Sequence, residues 1–331
     1  MSAAEPILHA VTPPDPGRGG VAAGELVYAQ IAARTSADDR VLILGASADR
    51  RVAMALGLRS VWLTPAPRHP LFATAAITRA ARALGAGRVA LWSRELLPTA
   101  RRVRRVARVE ARLLDEPGRG ECDPWRPRTR DLASLERLVV PDCSAGHRWI
   151  EAGAEAARVE TEPPAAMTLA GERAATRARL GVSGSIVLAP LSADPAGVDA
   201  RSLLFVSGVL ELLGHEHSLL VPDGAKRVVE SMRFRRRTGL RTRFVMVPPP
   251  LLAALPAADV LVAPKSDGAP SSARAMLDLL AEGLGVPVAS IAGWETEPGL
   301  GHGNLVPDIR ENVSPVVEAY ERVAQARRVA G

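Results

Sequence analysis

Hydrophobic residues in this chain fall into short continuous runs, and the segments between the runs have the length and spacing of helices. In the first half we predict six strands: Ile7–Val11, Arg40–Leu44, Ser60–Leu63, Arg88–Trp92, Val109–Leu114 and Leu138–Pro141. The helices predicted between them are Val21–Ala33, Arg50–Gly57, Leu71–Leu84 and Leu97–Val106. Strands that alternate with helices are typical of βαβ units, so we expect a parallel sheet.

The same alternation begins again after a looser stretch around Pro163 and Pro164. Here the predicted strands are Ser185–Ala189, Ser218–Pro222, Thr242–Val247, Asp259–Ala263 and Pro287–Ile291. The predicted helices are Ala200–Leu213, Ala225–Arg236, Pro250–Ala257, Ser271–Glu282 and Val313–Arg328. We therefore predict two tandem Rossmann-like, doubly wound α/β domains, residues 1–170 and 171–312. A C-terminal helix in residues 313–331 is expected to follow, with a possible crossing back to the first domain.

The length of 331 residues suits two domains, and the net charge of +6 adds a preference for anionic partners. The basic excess lies almost wholly within residues 1–170, which favours a nucleotide, a phospholipid surface or a phosphorylated acceptor there. No basic segment is interleaved with aromatic residues, and no zinc-finger spacing occurs, so nucleic acid is not expected as a partner.

The cysteines and the first residues of the chain indicate in which cellular compartment the protein is expected. Cys122 and Cys143 have no C-x-x-C spacing, so we expect no metal site and a reduced, cytoplasmic setting. Met1 to Val11 lack the pattern of a signal peptide, and no apolar run reaches the ~18 residues that a membrane span needs. The arginines of Arg101–Arg108 are either a solvated basic face or a patch that rests on anionic lipid, so peripheral membrane contact stays open.

A glycine-rich loop follows the first predicted strand. Gly17, Gly19 and Ala22 fit G-x-G-x-x-A, the fingerprint of dinucleotide-dependent oxidoreductases. That fingerprint needs a tight turn from strand to helix, whereas Thr12–Pro16 separate the strand from the first glycine. The loop is better explained by a backbone that approaches an anion closely at Gly19 and Gly20, next to a helix N-terminus. The alternative is an ordinary surface loop.

A second segment combines a cation, a carboxylate and a helix start directly after the buried strand Asp259–Ala263. Backbone N–H groups at the helix N-terminus would suit a diphosphate, with Lys265 beside them as a point charge. Asp267 could accept hydrogen bonds from sugar hydroxyls, and Asp278 lies two helical turns further on the same face as Ser271. Taken singly, these residues are also ordinary caps, turn formers and solvated helix positions. The candidate site residues in this segment are Lys265, Asp267, Gly268, Ala269, Ser271 and Asp278.

In this second half the chain resembles the retaining glycosyltransferases of family 4, which have the GT-B fold. The main matching segments are Leu255–Gly268, Leu277–Gly283 and Val286–Ala289. Weaker matches follow the family's order and extend the resemblance over nearly the whole chain: Ile7–Val11, Val139–Ser144, Arg179–Val182, Ser218–Gly224 and Gly303–Val306. The resemblance implies two domains facing across a cleft. It also implies a nucleotide-diphosphate sugar held by the second domain, and an acceptor held by the basic first domain.

The resemblance also implies individual roles. Asp267 would contact the donor sugar and Asp278 the nucleotide ribose, with Asp267 and Lys265 as the catalytic candidates. The loop at Gly19 and Gly20 would close over the donor diphosphate. Ser192 would join the donor-binding set. No cofactor is implied beyond the nucleotide sugar, which is the donor substrate. The acceptor stays open between a carbohydrate, a lipid and a small molecule.

Two departures from the family fall in the donor site. Both acids are aspartates, whose carboxylates reach less far than those of glutamates. The Arg and Lys that the family places after the first strand of this domain are missing, since Ala196 and Gly197 stand where Lys-Gly is expected. Lys265, Lys226 or Arg227 could supply the missing charge. The alternative function is therefore a catalytically inactive GT-B homologue that acts as a binding or scaffold protein.

Overall fold

The computed structural model describes residues 5–13, 24–65, 69–114, 128–167, 169, 172–192, 198–264, 272–291 and 309–330. The chain divides into two compact units, Met1–Met167 and Thr168–Gly331. Each unit contains a sheet whose paired strands all run parallel. This arrangement confirms the prediction of two tandem α/β domains.

The first unit has a seven-stranded sheet. Its strands are β1 (Ile7–Val11), β2 (Arg40–Leu44), β3 (Val61–Thr64), β4 (Arg88–Leu91), β5 (Arg108–Arg112), β6 (Arg137–Val140) and β7 (Val159–Thr161). Its helices are α1 (Gly24–Arg34), α2 (Ser47–Ala55), α3 (Pro70–Leu84), α4 (Ala100–Val103), α5 (Thr129–Leu132) and α6 (Cys143–Glu151). The strand order β3-β2-β1-β4-β5-β6-β7 reverses direction between β1 and β4, which makes that pair the topological switch point.

The second unit has a five-stranded sheet. Its strands are β8 (Ile186–Pro190), β9 (His217–Pro222), β10 (Arg243–Val247), β11 (Val260–Pro264) and β12 (Val288–Ile291). Its helices are α7 (Arg173–Leu180), α8 (Ala200–Leu212), α9 (Val228–Thr238), α10 (Ser272–Leu284) and α11 (Ile309–Ala330). The order β10-β9-β8-β11-β12 places the switch point between β8 and β11.

The local structure differs from the pattern in three places. The predicted helix at 97–106 is a 3₁₀-helix, Arg94–Thr99, followed by the short α4, and the predicted helix at 250–257 is a 3₁₀-helix, Leu252–Ala257. A proline lies inside each of these two segments, and proline has no N–H to donate within an α-helix. The first sheet also has a seventh strand, β7, that the hydrophobic pattern did not indicate, because its residues are only half-buried or exposed.

The positions of β5 alternate between an apolar core and a charged cluster. Val109 and Ala111 belong to the core of the first unit, together with Trp149 of α6. Glu110, between them in sequence, is buried and accepts hydrogen bonds from Arg112 at 2.8 Å and from Arg137 at 2.7 Å. Burial alone would raise the pKa of Glu110, but the hydrogen bonds and charges of the two arginines hold it below its ordinary value.

A second ion cluster surrounds Asp259, at the start of β11. The Asp259 carboxylate is buried and accepts hydrogen bonds from Arg177 at 2.8 Å, from Arg327 at 2.7 Å and from the backbone N–H of Val187 at 2.7 Å. Arg173 donates to it as well. These contacts join α7, β8, β11 and α11 of the second unit.

The last helix, α11, packs on the second sheet. Val316, Ala319 and Tyr320 belong to the apolar core of this unit, and the Tyr320 hydroxyl donates to the Glu216 carbonyl at 2.7 Å. Among the described residues, no helix combines the length and the apolarity that crossing a bilayer requires.

Candidate functional site

The carboxyl ends of β8 and β11 meet at the switch point of the second sheet. Leu191, directly after β8, donates its backbone N–H to the Val262 carbonyl at 2.7 Å. Ser192 therefore lies at the edge of the sheet where both β8 and β11 end. Ligands of doubly wound sheets bind in the crevice outside the strand ends at this point. The two strands that precede the candidate donor segments in sequence thus end side by side.

Two of the predicted site residues lie in the described part of the chain. Ser192 is half-buried at the end of β8. Asp278 is exposed on α10, where its carboxylate accepts a hydrogen bond from Arg274 Nε at 2.8 Å, one turn nearer the helix N-terminus. The other predicted site residues lie outside the described residues: Gly19, Gly20, Lys265, Asp267, Gly268, Ala269 and Ser271. Their roles stay predictions, as does the ribose contact of Asp278.

Two cations lie beside the start of α8, which follows β8 in sequence. Asp199 caps this helix, since its side chain accepts from the Arg201 N–H at 2.9 Å. The backbone of Lys226 pairs with this cap on both sides: its N–H donates to the Val198 carbonyl at 2.8 Å, and its carbonyl accepts from Ala200 at 3.0 Å. Arg227 donates from Nη1 to the Asp199 carboxylate at 3.1 Å. Lys226 and Arg227 are thus held at the N-terminal end of α8.

Arg227 also has an unusual backbone. Its φ is 57°, in the left-handed region, and it is the one non-glycine residue with a positive φ in the part of the chain that the structure describes. Such a conformation costs an L-residue roughly 1–2 kcal/mol, and strained positions of this kind collect at functional sites. The sequence marks Arg227 only as a substitute cation, because a positive φ at arginine has no sequence signature.

The first sheet has an equivalent switch point between β1 and β4. Thr12, directly after β1, donates its backbone N–H to Ser93 Oγ at 3.0 Å, and Ser93 Oγ donates back to the Thr12 carbonyl at 3.0 Å. This reciprocal pair joins the carboxyl ends of the two strands. The glycine-rich segment that contains Gly19 and Gly20 follows Thr12 in sequence and lies outside the described residues.

His9 and Trp92 occupy buried positions next to this edge. Trp92 is 3 % exposed, and its Nε1–H donates to His9 Nδ1 at 3.0 Å. The indole is therefore buried within the first unit. Burial is the main cause that lowers the pKa of His9 to about 4, so the imidazole is neutral near pH 7.

The described residues contain no cluster of His, Cys, Asp and Glu that could hold a metal ion. Their chemistry at the switch point of the second sheet consists instead of a helix N-terminus, two cations and a serine hydroxyl. This combination suits an anionic ligand, because N–H groups, ammonium and guanidinium all favour negative charge.

No known family model and no curated protein matches the chain. Solved structures do match its fold. The crystal structure of Anabaena HepE in complex with UDP and glucose is 16 % identical, with 97 % of this chain and 95 % of that chain covered at a TM-score of 0.52. Escherichia coli ADP-heptose lps heptosyltransferase II is 12 % identical, with 98 % and 99 % covered at a TM-score of 0.54.

A putative UDP-N-acetylglucosamine 2-epimerase from Listeria monocytogenes is similar to the same degree. It is 11 % identical, with 98 % of this chain and 91 % of that chain covered at a TM-score of 0.53. Likeness at such low identity establishes the fold, because one fold hosts many chemistries. The chain therefore has the GT-B fold of these structures, two tandem α/β domains with parallel sheets.

Proposed function

We propose that the chain is a glycosyltransferase that moves a sugar from a nucleotide-diphosphate sugar to an acceptor. The observation that carries the proposal is the switch point of the second sheet, where β8 and β11 end side by side and Ser192 follows β8. Lys226 and Arg227 are held at the helix that follows β8. The HepE structures, which contain UDP or UDP-glucose, support a nucleotide-diphosphate ligand for this fold.

In this proposal, Lys226, Arg227 and the N-terminus of α8 stabilise the diphosphate as the bond to the sugar breaks. Negative charge grows on the leaving group at that moment, and donors that are already positioned stabilise it without reorganisation. Asp199 positions Arg227 before any ligand arrives, because it holds one guanidinium N–H at 3.1 Å. A guanidinium has five N–H donors, so four are left for phosphate oxygens.

The finer assignments come from the resemblance to family 4. Asp267 would orient the donor sugar with Lys265 beside it, and Asp278 would hold the ribose. The loop with Gly19 and Gly20 would close over the diphosphate, and the reaction would retain the anomeric configuration. The basic first unit would hold the acceptor. Orientation of donor against acceptor then supplies the rest of the rate enhancement.

The double variant Lys226→Gln/Arg227→Gln is expected to weaken nucleoside diphosphate binding by about a hundredfold or more. The reason is the loss of charge-assisted hydrogen bonds, which contribute about 1.5–3 kcal/mol each. Calorimetric titration with UDP, ADP and GDP measures the change. A matched control is Arg233→Gln/Arg237→Gln, which removes two exposed arginines from α9. Equal weakening in both double variants would remove Lys226 and Arg227 from the site.

Titration of the unmodified protein tests the proposed function itself. A complete lack of binding of all three nucleotides at millimolar concentration would refute it. If the protein binds nucleotides but neither transfers nor hydrolyses the sugar of any nucleotide sugar, it is the inactive homologue. The absence of the expected Arg and Lys near Ala196 and Gly197 favours that alternative. Interconversion of two nucleotide sugars without an acceptor, followed by NMR, would instead show an epimerase.

A further inference from the structure

The first two residues after the Pro70 start of α3 expose large apolar side chains. Leu71 is 48 % exposed and Phe72 is 70 % exposed. Single exposed apolar residues are common on protein surfaces, but here two lie side by side at the end of one helix. Ala75, one turn further along, is exposed as well and extends this apolar end.

Helices α3 and α4 are strongly cationic. Together with the turn after α4 they carry six exposed arginines: Arg79, Arg82, Arg101, Arg102, Arg104 and Arg105. Residues 70–84 and 100–109 contain no Asp or Glu. Within the described part of the chain, none of the six guanidinium groups has a hydrogen bond or a salt bridge to a partner. Their charge is therefore not neutralised by this chain's described carboxylates.

A groove of about 450 Å³ joins the apolar end to the cations. It runs between α3 and α4 and is lined by Leu71, Thr74, Ala75, Thr78, Arg79, Arg82 and Arg102. Together with Phe72 and the arginines named above, these residues form what we call the α3–α4 surface. Apolar side chains at one end and guanidinium groups along the rest are in contact with the same open space.

We propose that the α3–α4 surface docks the first unit on an anionic membrane. An anionic bilayer presents negative headgroups with acyl chains beneath them. The arginines of this surface can contact the headgroups, and Leu71 and Phe72 can contact the acyl chains. A nucleic acid would pair with the arginines but would leave the two apolar side chains in water. The complementarity in both charge and apolarity favours the lipid surface.

Sedimentation with vesicles tests the proposal on the full chain, with no sugar nucleotide present. The protein is expected to bind vesicles of phosphatidylcholine mixed with phosphatidylglycerol at least a hundredfold more tightly than vesicles of phosphatidylcholine alone, since each arginine near an anionic surface contributes roughly fivefold. Arg79→Gln/Arg102→Gln should weaken this binding roughly twentyfold, and Phe72→Ser should weaken it several-fold. All three residues are exposed, so thermal unfolding should be unchanged.

The matched control is Arg233→Gln/Arg236→Gln on α9, which removes the same charge from an exposed basic helix of the second unit and should change binding less than twofold. Equal binding to both kinds of vesicle would overturn the proposal, as would equal losses in the α9 and α3–α4 variants. Displacement of the vesicles by a single-stranded oligonucleotide, with an affinity that depends on Arg79 and Arg102 but not on Phe72, would identify a nucleic-acid surface instead.

Discussion

Asp259→Asn is expected to lower the free energy of unfolding of the second unit by about 3–5 kcal/mol, the range seen when one partner of a buried ion pair is removed. Arg177 is buried and donates to both the Asp259 carboxylate and the Ala257 carbonyl. Asparagine can still accept the N–H of Val187, but it cannot neutralise the guanidinium. The N–H groups of the asparagine amide would also face N–H donors whose hydrogen bonds the Asp259 carboxylate now accepts.

Urea unfolding followed by circular dichroism measures this loss in the transition of the second unit. Asp223→Asn serves as the control, because Asp223 is exposed in the same unit and should change stability by less than about 0.5 kcal/mol. A loss below about 1 kcal/mol for Asp259→Asn would show that the ion pairs of Arg173, Arg177 and Arg327 with Asp259 contribute little to the free energy of unfolding.

Acidification from pH 6.5 to pH 4 is expected to cost the first unit about 3 kcal/mol through His9 alone. The folded pKa of His9 is about 4, and the unfolded value is near 6.5, so the unfolded chain takes up the proton first. The stability is fully present above pH 6.5 and is lost progressively as the pH falls towards 4. The cause is burial, and Trp92 reinforces it because its N–H already occupies Nδ1.

Urea unfolding at several pH values, followed by tryptophan fluorescence, checks this expectation, because four of the five tryptophans belong to Met1–Met167. His9→Gln should flatten the slope between pH 6.5 and 4, whereas the exposed His147→Gln should leave it unchanged. An unaltered slope in His9→Gln would contradict the assignment. Below this range the carboxyl group of Glu110 takes over, because arginine partners lower its pKa. Its stabilisation is lost as the pH falls from about 4.3 downwards.

The fold class could be predicted because buried parallel strands are short apolar runs between helices of ordinary length. The runs at Ile7–Val11 and Arg40–Leu44 agree with the observed strands β1 and β2 residue for residue. Strand β7 escaped prediction because it lies at an edge of the sheet and carries half-buried and exposed side chains. Its polar sequence has no pattern that separates it from a loop.

The candidate site could be predicted only as sequence segments. Glycines, aspartates and a lysine after predicted strands indicate which loops leave the ligand edge of a sheet, and Ser192 does follow β8 there. The pairing of Lys226 with the cap of α8 could not be predicted, because it depends on a backbone bridge between positions far apart in sequence. The bond between Trp92 and His9 could not be predicted for the same reason.

Strand order in the second sheet also determines the order in which its strands can pair while the chain is being synthesised. Of the strands in this sheet, the central strand β8 emerges from the ribosome first, and β9 and β10 can pair on one side of it once residue 247 has left the ribosome. The other edge of β8 stays unpaired until β11 arrives, with its N–H and C=O groups open to other chains. A nascent or truncated chain that stops before Val260 therefore lacks the β11 half of the switch point. It also exposes one unpaired side of β8, which is prone to aggregation.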